Sequence, residues 1–421
     1  MKTIKDYNVK IYTDNIEDSA SEQIRELLSI DVFCKCKIRI MPDVHAGAGC
    51  VIGFTGDLGD KVIPNIVGVD IGCGILVQPF VCVGDMDYHA LNEFILYHIP
   101  SGRNYRDSHY APLPPKYMDV YRAAKDLIKQ LRCYRELKET KRLNASIGLL
   151  GGGNHFIELD KDECGMTYLV VHTGSRNLGK QVAHIYQKLA VKCQSGWAEL
   201  MEEQNRMIAE YKAAGRKDEL QDAIRQLHNS FKMRKPTIPP DLSYLEGAYR
   251  EDYLHDMRLC QHWAKINRSL IANLIMDYFI QQGYVEAQQD NLAFESVHNY
   301  IGDDNIIRKG AIAAYEGQKC IIPLNMRDGS LICIGKGNTE WNCSAPHGAG
   351  RIMSRSQAFK SISMDDYRAS MQGIYSESLS EDTKDESPMV YKPKEEIIRN
   401  ISETVSVVNV IKPVYNFKAA E

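Results

Sequence analysis

The chain has 421 residues, 44% of them hydrophobic, and a formal net charge of −4, enough for a large core and, by length alone, two or three domains. With no overall excess of Lys and Arg, contact with nucleic acid has to come from a local patch, which disfavours a nonspecific coating protein. No apolar run reaches a membrane span and the opening "MKTIKDY" is too polar for a signal peptide, so the 12 cysteines are expected to be reduced thiols of a cytoplasmic protein, most of them packing in the core.

In chain order, the first third alternates short apolar runs with glycine-rich turns. Residues 9–13, 37–41 and 66–78 read as strands and 17–29 as an amphipathic helix. Strands are expected again at 146–150 and 168–171, each running into a glycine-bearing turn. From 177 to about 283 the pattern becomes helical, with interleaved charges over 197–231, a proline break at 236–240 and a second helical run over 245–281. Mixed charge marks this block as a solvated helical insertion rather than a nucleic-acid face. Strand character returns as hairpins in "AAYEGQKCIIPLNMRDGSLICIGKG". A Ser/Glu/Asp-rich stretch at 376–388 is expected to be an exposed loop, followed by a helix at 394–402 and a strand at 405–415. The expected architecture is α+β: one compact β-rich catalytic domain over 1–421 with a helical insertion at 177–283.

Several polar residues interrupt the apolar strand ends. Asp70 and Cys73 lie in "NIVGVDIGCGILV", His155 and Glu158 in "LLGGGNHFIEL", His172 in "YLVVHTGSRNLG" and His298 in "FESVHNYIG". Each alone reads as an ordinary hydrogen-bonded residue. As a set, one thiol, one carboxylate and three imidazoles on rigid strands with glycine beside them suit a metal centre for Zn²⁺, Mn²⁺ or Fe²⁺. Five ligands exceed one open tetrahedral site. They fit two ions sharing a bridging ligand, for which Cys73 is the natural choice, and two adjacent ions can clamp the oxygens of a phosphoryl displacement. Near the C-terminus, "WNCSAPHGAGRIMSRSQ" sets His347 before the small residues Gly348, Ala349 and Gly350. Such a turn lets backbone approach a ligand and offers N–H groups to an anion.

The strings "MPDVHAGAG", "VGVDIGCG", "GGGNHFIE", "HTGSRNLG", "VHN" and "HGAGRIMSR" occur in this order across the chain, which thereby resembles the RtcB family of GTP-dependent RNA ligases over nearly its whole length. The resemblance implies joining of RNA 2′,3′-cyclic-phosphate or 3′-phosphate ends to 5′-hydroxyl ends, with GTP and two Mn²⁺ ions. It makes His347 the residue that takes GMP from GTP and Asp43 the carboxylate that orients it, with Arg351 and Arg176 touching phosphate or the RNA end. Cys73 would bridge the two ions, Asp70 and His298 completing one site and His155 and His172 the other. Asn154, His155, Phe156, Glu158, Asn299, Gly348, Ala349 and Gly350 fall at guanylate-binding positions, and Tyr391 and Lys418 match the tyrosine and lysine that hold the guanine.

One loop departs from the family. Where it commonly has Pro-Gly-Ser-Met-Gly-Thr, this chain has "PLNMRDGS", with Leu324, Asn325 and Arg327 at the altered positions, Met326 retained and Ser330 standing for a later serine. Asn325, Met326 and Ser330 are counted with the nucleotide contacts. Two rival readings remain: a two-metal phosphoesterase, which would not need His347, and a non-catalytic RNA-end-binding protein, which would not need intact ligands.

Overall fold

A computed structural model of the chain describes residues 2–4, 7–286 and 292–419. It contains helices and two large sheets, the α+β class expected. The larger sheet has seven strands in the order Phe294–Val297, Gly74–Phe80, Thr167–Thr173, Phe156–Lys161, Val405–Lys418, Gly329–Gly335 and Lys319–Asn325. Neighbours in it are antiparallel throughout. The second sheet has six strands in the order Lys2–Ile4, Val9–Ile11, Ile38–His45, Ile52–Gly56, Ile307–Lys309 and Tyr300–Ile301, with one parallel pair, Val9–Ile11 on Ile38–His45.

The seven-stranded sheet is covered on both faces, which is why its strands read as apolar runs rather than as alternation. On one face Leu76, Leu159, Leu169 and Val171 pack against Ile271, Ile275 and Phe279 of the long helix Gly247–Gln281. On the other, the sheet curls over on itself, and Ile75, Val77, Phe156, Tyr168 and Val170 pack with Ile321, Ile332 and Ile411 of its own remaining strands. The period-two alternation of side chains thus supplies two cores from one set of strands. The region 177–283 is helical, but its helices differ in environment. Gly247–Gln281 is embedded, with 17 buried residues, whereas Leu220–Ser230 buries none.

Three expectations are corrected. Residues 66–78 are not one strand: Pro64–Val67 is a helical turn, the strand is Gly74–Phe80, and a loop carries Asp70 and Cys73 between them. The glycines at 68 and 72 adopt left-handed φ, which breaks the run. Residues 146–150 form turn and coil rather than a strand. The Asn267 side chain there accepts the N–H groups of Gly148 and Leu149 and donates to the Leu149 carbonyl, so this apolar backbone is satisfied without a sheet. The stretch 376–388 is an exposed loop only in part: Thr383, Lys384, Asp385, Glu386 and Ser387 are buried, with Lys384 paired to nearby Glu381 and with Asp385 and Glu386 met by Arg351, Arg355 and Lys418 from elsewhere in the chain.

Candidate active site

Antiparallel order gathers the polar residues. The strand Phe294–Val297 ends, Gly74–Phe80 begins, Thr167–Thr173 ends, Phe156–Lys161 begins and Val405–Lys418 ends on the same rim of the sheet, as the registers Gly74↔Val297, Gly74↔Thr173, Phe156↔His172 and Lys418↔Phe156 show. His298, Cys73, His172, His155 and Lys418 are therefore brought side by side from positions far apart in the chain.

Cys73 Sγ lies 3.4 Å from Nε2 of His155 and 3.4 Å from Nε2 of His172, and these three buried residues form a group able to hold a metal ion. His155 Nε2 is 3.2 Å from Asp70 Oδ2. The His298 ring stands 5.4 Å from that of His172 and 4.8 Å from that of His347. Burial, with His155 next to one and His347 next to the other, holds His172 and His298 well below the usual histidine range. Both rings are thus neutral at neutral pH, as ligation requires. His172 also presents the correct nitrogen: a carbonyl can only accept, so the 3.0 Å contact between its Nδ1 and the Asn154 oxygen fixes the proton on Nδ1 and leaves the Nε2 lone pair towards Cys73. His155 holds the opposite tautomer, because Arg176 can only donate to its Nδ1. Ligation through His155 Nε2 would move that proton to Nδ1 and turn Arg176 away.

The donor set fits a divalent cation. Burial and the Asp70 charge raise the Cys73 thiol well above its ordinary value, so a thiolate here needs a positive partner. Burial also disfavours the Asp70 carboxylate, but the hydrogen bond from His155 and the Arg176 charge outweigh it and hold the group at about 2. Asp70 Oδ1 is buried with no hydrogen-bond partner, the kind of orphan a cation satisfies.

His347 stands beside this cluster. Its Nδ1 is 2.7 Å from Oδ2 of Asp43, which is fully buried, so the carboxylate holds a proton on Nδ1, and in the neutral ring Nε2 carries the lone pair. The small-residue turn has a steric reason: Gly350 has φ of +73°, and a Cβ there would meet the Asp43 carbonyl oxygen at 2.6 Å. Only glycine lets the turn after His347 lie against the strand that holds Asp43.

A cavity of about 440 Å³ opens in front of His347. Of the positions named from sequence, Asn154, Phe156, Glu158, His172, Asn325, Met326, Gly348, Ala349, Gly350, Arg351, Tyr391 and Lys418 line it. Asn299 does not, and braces the site from behind by donating to the Asp70 carbonyl and accepting the Gly310 N–H. Ser330 also lies off the lining, fully buried, with its hydroxyl unpartnered. Asn325 is engaged in its own turn, accepting the N–H groups of Arg327 and Asp328 and donating to the Asp328 carboxylate.

Glu386 and His45 are among the lining residues that the sequence did not point to. Glu386 accepts from Lys418 Nζ and Tyr391 Oη, both at 2.7 Å, and from Arg351. Burial alone would raise its carboxyl, but Lys418 and Arg351 prevail and hold it at about 2. His45 lines the cavity too, and the string "PDVH" contained it. Glu158, near Lys418, accepts from Asn416 and is pushed by burial to about 7 despite the Lys418 charge.

The family model described as tRNA-splicing ligase RtcB matches residues 23–419. The RNA-splicing ligase RtcB of Escherichia coli (strain K12) is 30% identical, covering 98% of this chain and 97% of that protein. The tRNA-splicing ligases RtcB of Aeropyrum pernix and Thermococcus kodakarensis are 26% and 24% identical, covering 91% and 92% of this chain and 88% of each relative. Among the described residues no helix is long and apolar enough to cross a membrane. A match that spans almost the whole chain, with the cluster and His347 at one rim, means that the chain belongs to the RtcB family.

Proposed function

We propose that this protein is a cytoplasmic RNA ligase joining RNA 2′,3′-cyclic-phosphate or 3′-phosphate ends to 5′-hydroxyl ends, using GTP through a covalent His347–GMP intermediate and two Mn²⁺ ions. We further propose that 1–421 acts as one catalytic unit with 177–283 inserted in it. The observation that carries this reading is His347 itself: a histidine on a cavity wall whose Nδ1–H is committed to a buried carboxylate has a free Nε2 lone pair, and a neutral imidazole so oriented is a competent nucleophile.

His347 Nε2 would attack the α-phosphorus, and Asp43 would stabilise the positive charge that the ring gains. Glu158 and Lys418, at one end of the cavity, supply a carboxylate and an ammonium suited to the donor and acceptor edge of guanine. Arg351 and Arg176 would neutralise phosphate oxygens, and the turn at 348–350 would offer its backbone N–H groups. Asp70, Cys73, His155, His172 and His298 would hold the two ions, which when bound offset phosphate charge and orient the displaced oxygens. Transfer of GMP from His347 to an RNA 3′-phosphate would give that phosphate a leaving group.

A phosphoesterase has no use for the His347–Asp43 pair, and a binding protein has none for the ligand cluster. The test is incubation with GTP labelled at the α-phosphate, followed by denaturing electrophoresis. The expected label is acid-labile, alkali-stable and lost in His347→Ala. Label that persists in His347→Ala assigns the nucleophile elsewhere.

A further inference from the structure

We propose that His45 is the general base of the sealing step, taking the proton from the incoming RNA 5′-hydroxyl; this rests on the ligase reading above. His45 and His347 are hung on the same residue. His347 donates through Nδ1 to the Asp43 carboxylate, and His45 Nδ1 lies 2.9 Å from the Asp43 carbonyl oxygen. A carbonyl only accepts, so the proton of His45 sits on Nδ1 and its Nε2 keeps a lone pair. Both histidines line the one cavity. His347 Nε2 serves the transfer of GMP from GTP to the RNA 3′ end, and His45 offers the later sealing step a second ring nitrogen with the same tautomer on the wall of the same cavity.

The chain also holds His45 in place. Residues 43 and 45 sit two apart on the strand Ile38–His45, where its pairing with Ile52–Gly56 shifts register between Ile40 and His45. Just beyond, the Glu17 carboxylate accepts the Ala46 N–H at 2.6 Å, and the Gln23 amide both donates to the Gly47 carbonyl at 2.7 Å and accepts its N–H at 3.1 Å. Three hydrogen bonds from the segment around the first helix thus fix two residues whose side chains carry no chemistry, which is how a catalytic side chain is preorganised. The titratable and charged groups near the ring are Asp43 on its own strand, His347 and Arg351, with Glu17 also on the cavity wall. Burial, helped by the Arg351 charge, lowers His45 against the pull of Asp43, so the ring is a neutral base at neutral pH.

The step balances. His45 Nε2 takes the hydroxyl proton while O5′ forms its bond to the phosphorus of the activated 3′ end. The bond from that phosphorus to the oxygen bridging to GMP breaks, GMP leaves, and the imidazolium returns its proton to water.

The experiment separates two single-turnover rates: GMP loading from α-labelled GTP, and sealing of an RNA already guanylylated at its 3′-phosphate to a 5′-hydroxyl RNA. In His45→Gln, sealing should fall on the order of 10² to 10⁴-fold further than loading, the usual share of general-base catalysis. Added imidazole should restore part of the sealing rate in His45→Gly. The wild-type sealing rate should fall on the acid side as one group titrates, a limb absent in His45→Gln. Equal losses in loading and sealing would reduce His45 to a brace for Asp43 and overturn the proposal, as would a wild-type sealing rate with no acid limb, which needs no substitution to measure. A wild-type protein that neither takes label from GTP nor seals overturns the ligase reading itself, and the His45 assignment falls with it.

Discussion

Replacing Asp43 by Asn isolates what the buried carboxylate contributes to His347. The amide keeps the volume and can still accept one hydrogen bond from Nδ1, so the ring stays in place while the charge goes. When Nε2 attacks phosphorus the ring becomes cationic, and its Nδ1–H already lies 2.7 Å from the carboxylate oxygen. Unit charges about 4 Å apart at an effective dielectric of about 20 attract by about 4 kcal/mol. At about 1.4 kcal/mol per factor of ten, GMP loading should slow by roughly 10³-fold. Asp43 Oδ1 is a buried acceptor without a hydrogen-bond partner, and the amide NH2 that replaces it is a buried donor in the same place, so a stability loss of about 1–3 kcal/mol accompanies the loss of charge. The assay is single-turnover labelling with α-labelled GTP, with thermal melting as the control. A loading rate within about threefold of wild type, less than half the decade that about 1.4 kcal/mol represents, would refute the reasoning about charge.

Cys73→Ala should lose more bound metal than any single histidine variant, since Cys73 would serve both ions; unchanged metal in elemental analysis removes the bridging role. Glu386→Ala leaves the buried Lys418 and Arg351 charges without their shared carboxylate and should cost about 3–5 kcal/mol in urea unfolding, with Glu386→Gln costing less. Glu158 is pushed from its ordinary 4.5 up to about 7. A raised acid binds its proton better in the folded state, so its contribution is complete below about pH 4.5 and is lost as pH rises through about 7. Glu158→Gln should therefore flatten the fall in stability across that window, while Glu386, held at about 2, titrates below it. An unchanged pH slope in the Glu158→Gln variant contradicts the assignment.

Much of the site was legible because its residues sit where rigid strands meet glycines. Asp70, Cys73, His155, His172 and His298 each broke an apolar run, and polar atoms at such places need a partner. What the sequence could not supply was which rim each strand end occupies, since that follows from the antiparallel order of the sheet. The strand boundaries around Asp70 failed for a local reason: left-handed glycines at 68 and 72 break an apolar run that hydropathy alone reads as continuous. Glu386 was hidden by composition. A Ser/Glu/Asp-rich stretch reads as solvated unless its cations are visible, and here they are Arg351, 35 positions before, and Lys418, 32 positions after. His45 stood in a recognised string, but only the hydrogen bond to the Asp43 carbonyl shows which of its nitrogens is free.

The central claim concerns which phosphorus ends in the joint. Ligases that charge a lysine with AMP usually show a Lys-x-Asp-Gly string, and the nearest one here, Met326 to Gly329, lacks the lysine. The direct measurement uses an RNA labelled at its 3′-terminal phosphate and a partner with a 5′-hydroxyl, incubated with GTP and Mn²⁺ and followed by nuclease digestion of the product. The account predicts that the label lies between the two joined nucleotides. Joining that occurs only with a 5′-phosphorylated partner, with the 3′ label lost, would contradict it.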